Sequence, residues 1–297
     1  MTKIPGIDVS EHQGGIDWQL VKTDADFAFI RVGYTWYAGG LEVDSRFSDN
    51  MNGALAAGVP AGVYAYAYDR TPDAAQKSAR AVLRRIQGYR VEYPVVYDFE
   101  DVQYLKNTPQ QNAAIAGAFL KEIQAAGYFA MLYASTSYLT EKLDLSALGQ
   151  YAVWVADYRD PSWTECPYQG PFAVWQYRGG AGDGGGRCAG VEGYCDRDLD
   201  YVGLARVIRD AGLNHLDEGE VPPPGSGNPG PGETPNPEEK PETGGGTPEP
   251  PDGGEDGQPE KKPCILMRVF RAVCRFFAAA AGRIANAYND KNGPAAG

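Results

Sequence analysis

EYPVVYDFED, residues 92–101, is an apolar run that ends in acids. Pro94, Val95, Val96 and Tyr97 suit a strand covered on both faces; Asp98, Glu100 and Asp101 then follow within four residues. Acids are disfavoured within strands, and charges are seldom buried without partners. A parallel barrel reconciles the two halves of the stretch, because such barrels place their chemistry at the C-terminal ends of strands. Asp98 and Glu100 are two residues apart and so share a side of the chain, with Cβ atoms about 6–7 Å apart from twice the strand rise. Like charges at that spacing oppose joint ionisation, so one of the two carboxyls is expected to hold its proton to higher pH. That suits a pair in which one acid gives a proton while the other stays charged.

The same rhythm extends on both sides. Strand-like runs occur at IPGIDVS, FAFIRVGY, AGVYAYAY, YPVVYDFE, FAMLYAS, AVWVADY, FAVWQYR and GYCDRDLDY, with helical patterns between several of them. Thr108-Pro109-Gln110-Gln111 is a helix start with an N-cap, a proline at the first turn and a capping box, and that helix should run to about Ala126 and stop at Gly127. Thr71-Pro72-Asp73 opens another, ending near Gly88. Strands alternating with helices mean a parallel sheet, open or closed. No GxGxxG follows the first strand, as an open dinucleotide-binding sheet would have. The eight runs fit a closed α/β barrel, made irregular by the Gly-rich, helix-poor connections between Ala152 and Tyr201.

Other strand ends carry acids as well: Asp8 in GIDVS, Asp157 in WVADY, and Asp196 and Asp198 in CDRD. Aromatics stand nearby, at Tyr34, Tyr64, Tyr66, Tyr133, Trp154, Trp175 and Tyr177. For one aspartate alone a salt bridge or helix cap is the commoner role, and for one aromatic alone core filling is. Their convergence suits a carbohydrate, whose apolar ring faces stack on aromatics while its hydroxyls bond to carboxylates.

The formal net charge is −12, unevenly spread. Residues 1–216 carry −7, the stretch to Glu260 carries −11, and residues 261–297 carry +6. An acidic body argues against nucleic acid as a partner. The two histidines, His12 and His215, with neither GxSxG nor HExxH, argue against a serine triad or zinc site, so no cofactor or metal is expected; His12 is expected to hydrogen-bond at the end of the first strand. Cys188 and Cys195 would close a small loop in an oxidising compartment; reduced thiols are the alternative. MTKIPGIDVS lacks the apolar core of a secretory signal, and no run reaches membrane-spanning length. Three parts are therefore expected. A barrel occupies residues 1–216, and a Pro/Gly/Glu-rich disordered linker 217–262. A cationic amphipathic helix at 263–297 would suit an anionic membrane or wall polymer.

GIDVSEHQG, IDWQLVK, FAFIRVGY, AGVYAYAY, VVYDFED, VWVADY, VWQY and GYCDRD, in this order over about residues 4–212, resemble glycoside hydrolase family 25, the Chalaropsis-type lysozymes. The resemblance implies an irregular (β/α)5(β)3 barrel that cleaves the β-1,4 bond between N-acetylmuramic acid and N-acetylglucosamine in peptidoglycan. Glu100 matches the family's general acid, Asp98 its partner carboxylate and Asp8 its first-strand aspartate. The last-strand aspartate matches Asp196, with Asp198 as rival. Tyr64, Tyr66, Tyr133, Trp154 and Gln176 fall where the family's groove is lined. Cys195 departs from the usual valine. With no signal segment, a phage endolysin made in the cytoplasm and released at lysis is the first expectation. A bacterial autolysin and a non-catalytic glycan-binding module on the same barrel are the alternatives. A chitinase is disfavoured, since DxxDxDxE is absent.

Overall fold

In the computed structural model, residues 3–216 are described apart from 181, 183 and 184; the expected linker and cationic helix lie outside the described residues. Nine strands occur among the described residues: β1 (Ile4–Val9), β2 (Phe27–Thr35), β3 (Leu41–Val43), β4 (Ala61–Tyr66), β5 (Val95–Asp98), β6 (Ala130–Ser135), β7 (Ala152–Ala156), β8 (Val174–Arg178) and β9 (Asp196–Asp200). The helices are α1 (Trp18–Val21), α2 (Phe47–Ala57), α3 (Pro72–Ile86), α4 (Pro109–Ala125), α5 (Thr136–Glu141) and α6 (Leu204–Asp210). β1, β2, β4, β5, β6, β7 and β8 run parallel in that order, and β9 closes the ring by pairing antiparallel with both β8 and β1. Helices follow the first five barrel strands, whereas β7, β8 and β9 are joined without them. This is the irregular (β/α)5(β)3 barrel expected from the sequence.

Two features differ from the sequence reading. A short ninth strand, β3, pairs antiparallel with β2 outside the ring, across a hairpin. The last barrel strand is antiparallel, so Asp196 stands at its beginning rather than its end. The reversal still brings Asp196 to the mouth of the barrel, because the start of β9 lies beside the end of β1, with Asp8 opposite Asp196.

Local chemistry explains the elements. Thr108 caps α4 with a full capping box, and Thr71 caps α3 with Pro72 behind it, as their sequences dictate. Along β5 side chains alternate: Tyr97 points out, stacks on Phe119 at 4.0 Å and donates to Asp69, while Val96 joins the inner core. The interior is packed rather than open. Phe27 stacks on Tyr93 and Phe29 on Trp154, each pair at 4.5 Å. Gly6 faces this layer, and a Cβ there would lie 2.3 Å from the Phe27 ring. At the closed end Asn214 accepts from the Phe129 amide and donates to the carbonyls of Val91 and Tyr93.

Asp200 is fully buried beneath the barrel, where the amides of Val202, Gly203 and Leu204 at the start of α6 and the Tyr93 hydroxyl donate to it. Asp200→Ala leaves the buried Leu204 amide and Tyr93 hydroxyl without their acceptor, and the half-buried Val202 and Gly203 amides as well, and is expected to cost about 3 kcal/mol, read as a lower urea midpoint with an unchanged slope. A loss below about 0.5 kcal/mol would contradict the capping role.

Candidate functional site

The C-terminal ends of the parallel strands and the start of β9 surround a groove of about 350 Å³. It collects Asp8 from β1, Tyr64 and Tyr66 from β4, Asp98 and Glu100 from β5 and just beyond it, Tyr133 from β6, Trp154 from β7, Gln176 from β8 and Asp196 from β9. All nine residues singled out as site candidates thus share one cavity.

Phe99 is fully buried on the outer side and stacks on Tyr104 at 3.9 Å, which turns Asp98 and Glu100 together toward the groove. Asp101 serves structure instead: its carboxylate caps the 3-10 turn Val102–Lys106, and its carbonyl accepts from the Tyr138 hydroxyl. Glu100 Oε2 accepts from the Ser135 amide at 3.1 Å. Burial raises the Glu100 carboxyl above the ordinary range, while Ser135 and Tyr133 pull it back. Asp98 is pushed up further, first by burial and then by the charge of Glu100, with Arg31 opposing. Its Oδ1 has no hydrogen-bond partner in the protein. A buried acceptor left open beside a groove is available to a substrate.

Across the groove, Gln176 donates to Asp8 at 2.7 Å and accepts from the Tyr133 hydroxyl at 2.9 Å, which fixes its amide orientation. Burial, followed by the charges of Asp196 and Asp198, raises the Asp8 carboxyl well above normal. Asp198 lies one inward position deeper than Asp196, fully buried, and accepts from Trp154 Nε1 at 2.8 Å. Asp196 therefore lines the groove and Asp198 supports its floor.

Several expected neighbours stand elsewhere. Asp157 is tied to Arg159 by two hydrogen bonds of 2.7 Å and stays outside the groove. Trp175 and Tyr177 flank Gln176, so strand alternation turns them outward; Trp175 Nε1 donates to the Asp157 carbonyl. His12 does line the groove, from the turn after β1, where its backbone amide donates to Ser10 Oγ. Cys188 and Cys195 are free thiols, with Cys195 immediately before Asp196.

Arg31 is a groove residue that the sequence reading passed over. It is buried, pairs with Asp44 through Nε at 2.7 Å and reaches Glu11 through Nη2 at 3.0 Å. Tyr34 and Ser45 hydroxyls hold the Glu11 carboxyl down to about 2. Its signal was a lone cation in the apolar run FAFIRVGY, which demands a buried partner. Among the described residues no cluster of three or more His, Cys, Asp or Glu is arranged to hold a metal ion. No helix among them is long and apolar enough to cross a membrane.

The arrangement has solved counterparts. The modular autolysin LytC from Streptococcus pneumoniae, in complex with a synthetic peptidoglycan ligand, is 26% identical with a TM-score of 0.56, over 67% of this chain and 47% of that one. The chain thus spans about half the length of LytC. A bacterial lysozyme from Streptomyces coelicolor is 25% identical with a TM-score of 0.52, over 69% and 95% of the two chains. The CTP1L endolysin, 24% identical with a TM-score of 0.56 over 71% and 70%, shares the fold. Among curated protein sequences there is no match. The model of Glycosyl hydrolases family 25 matches residues 7–184, which contain Asp8, Asp98, Glu100 and the aromatic wall, and the chain belongs to that family.

Proposed function

We propose that this chain is a lysozyme of the muramidase type, with residues 1–216 as its catalytic unit. It hydrolyses the β-1,4 bond between N-acetylmuramic acid and N-acetylglucosamine in peptidoglycan. The observation that carries this reading is the pair Asp98 and Glu100, both raised by burial, sharing one groove with Asp8, Asp196 and an aromatic wall.

Glu100, whose carboxyl is raised by burial, gives its proton to the leaving glycosidic oxygen. Asp98 supplies the negative charge that stabilises the oxocarbenium-like transition state, and either activates the water that bonds to the anomeric carbon or steadies the substrate's own N-acetyl group, which bonds there first and is then displaced by water. Burial raises both carboxyls, so the pair shares a proton, and Arg31 opposes the rise at Asp98 and so favours a charge there. Gln176 and Tyr133 hold Asp8 in place for sugar hydroxyls, with Asp196 beside it. The enzyme acts on the wall, outside the membrane, as an endolysin or an autolysin does.

Digestion of purified peptidoglycan, followed by borohydride reduction and mass spectrometry, tests the bond specificity. New ends are expected to be reduced muramic acid. Ends of reduced glucosamine, or no new ends, would overturn the reading.

A further inference from the structure

Beside the groove lies a second hollow of about 200 Å³, lined by Tyr34, Trp36, Tyr37, Glu42 and Tyr68 on the β2–β3 hairpin and the end of β4. We infer that it is a distal sugar-binding platform, which holds one further ring of the same glycan strand whose scissile bond lies at Glu100. The inference rests on the muramidase reading and extends it to a residue-level determinant of chain-length preference.

Three observations carry it. First, Trp36 and Tyr37 are 53% and 51% exposed, unusual for large rings, and they stand together in a concave site. Second, the hollow adjoins the groove, and their walls are in contact on both sides. Tyr66 lines the groove and its ring lies 5.1 Å from that of Tyr68, which lines the hollow. On the other wall Tyr34 donates to Glu11 at 2.6 Å, and Glu11 holds the groove residue Arg31. Third, the platform is built before any ligand arrives. The Gly40 amide donates to Ser78 Oγ at 2.9 Å, and Ser78 donates to buried Asp69 at 2.6 Å. A methyl placed on Gly40 would stand 3.2 Å from the Trp36 ring, so that ring rests against the hairpin backbone. At Gly33 a β-bulge with φ +152° lets the β3 backbone approach, since a Cβ there would lie 1.8 Å from the Glu42 carbonyl oxygen. Exposed rings with a carboxylate at the rim match the apolar face and hydroxyl edge of a pyranose. The volume is below the roughly 300–1,000 Å³ of sites that enclose a whole small molecule, and suits one ring of a longer chain.

The test uses the full chain and peptidoglycan glycan strands stripped of stem peptides, as tetrasaccharides and as strands of eight sugars or more. Trp36→Ala is expected to raise KM on the long strands about tenfold, with kcat and tetrasaccharide cleavage unchanged, and Trp36→Phe to restore most of the loss. An unchanged KM on long strands, or an equal rise on both lengths, would overturn the platform. If the wild-type chain cleaves neither, sedimentation with labelled long strands separates the two readings. Binding that depends on Trp36 keeps the platform while the muramidase reading falls; binding that does not depend on it removes the platform as well.

Discussion

Glu100→Gln is expected to lower turnover on peptidoglycan by about 10³-fold while leaving the fold and KM nearly unchanged. Glutamine keeps the shape of the side chain and an oxygen that can accept from the Ser135 amide, so the 3.1 Å contact that orients residue 100 survives. It loses the one thing the site was arranged to provide, a proton retained by burial. The departing sugar would leave as an alkoxide unless its oxygen is protonated, and the neighbouring carboxyl, Asp98, is needed as the counter-charge. Steady-state rates on purified cell wall, with a thermal melt of the same preparation, check the expectation. Activity within tenfold of wild type in a folded protein would remove Glu100 as the acid.

The parallel strands were legible because their burial on both faces leaves a continuous apolar run, as in VVY before Asp98 or AVWVA before Asp157. The site acids were legible for the complementary reason: a charge at the end of such a run must face a cavity or a partner. The reversal of β9 was not legible. DRDLD has no apolar run, and two of its inward acids meet partners far away in the chain, Asp198 at Trp154 Nε1 and Asp200 at the Tyr93 hydroxyl. β3 is three residues long, too short to show a period. Arg31 was missed because its partner Asp44 lies 13 residues on, across the hairpin, where local spacing says nothing. Trp175 and Tyr177 face away from the groove for a reason local to their strand. If Gln176 faces the groove, strict alternation sends both neighbours to the other side.

Asp98→Asn is expected to lower turnover by about 10²–10³-fold, and its pH dependence should show how the two carboxyls share protons. Burial raises both, and the charge on one holds the proton on the other, so the pair loses its second proton later than either would alone. With residue 98 neutral, Glu100 no longer works against a neighbouring charge. Its pKa falls, and the alkaline limb of the residual activity profile moves to lower pH. Stability should move the other way. A carboxyl raised in the folded state binds its proton more tightly there than in the unfolded chain. Its favourable contribution is full below the unfolded pKa and is lost as pH rises through the folded pKa. At neutral pH wild-type Asp98 therefore costs stability, and Asp98→Asn should melt higher, by about 2–4 °C for each kcal/mol relieved in a domain of this size. The gain should shrink toward zero as the pH is lowered to about 4, where an unfolded aspartate is itself half protonated. Melting curves of the two proteins across that range, alongside their rate profiles, are the measurement. A variant that melts lower at neutral pH, with an unmoved alkaline limb, would mean that Asp98 is a satisfied structural acid and that Glu100 keeps its proton by burial alone.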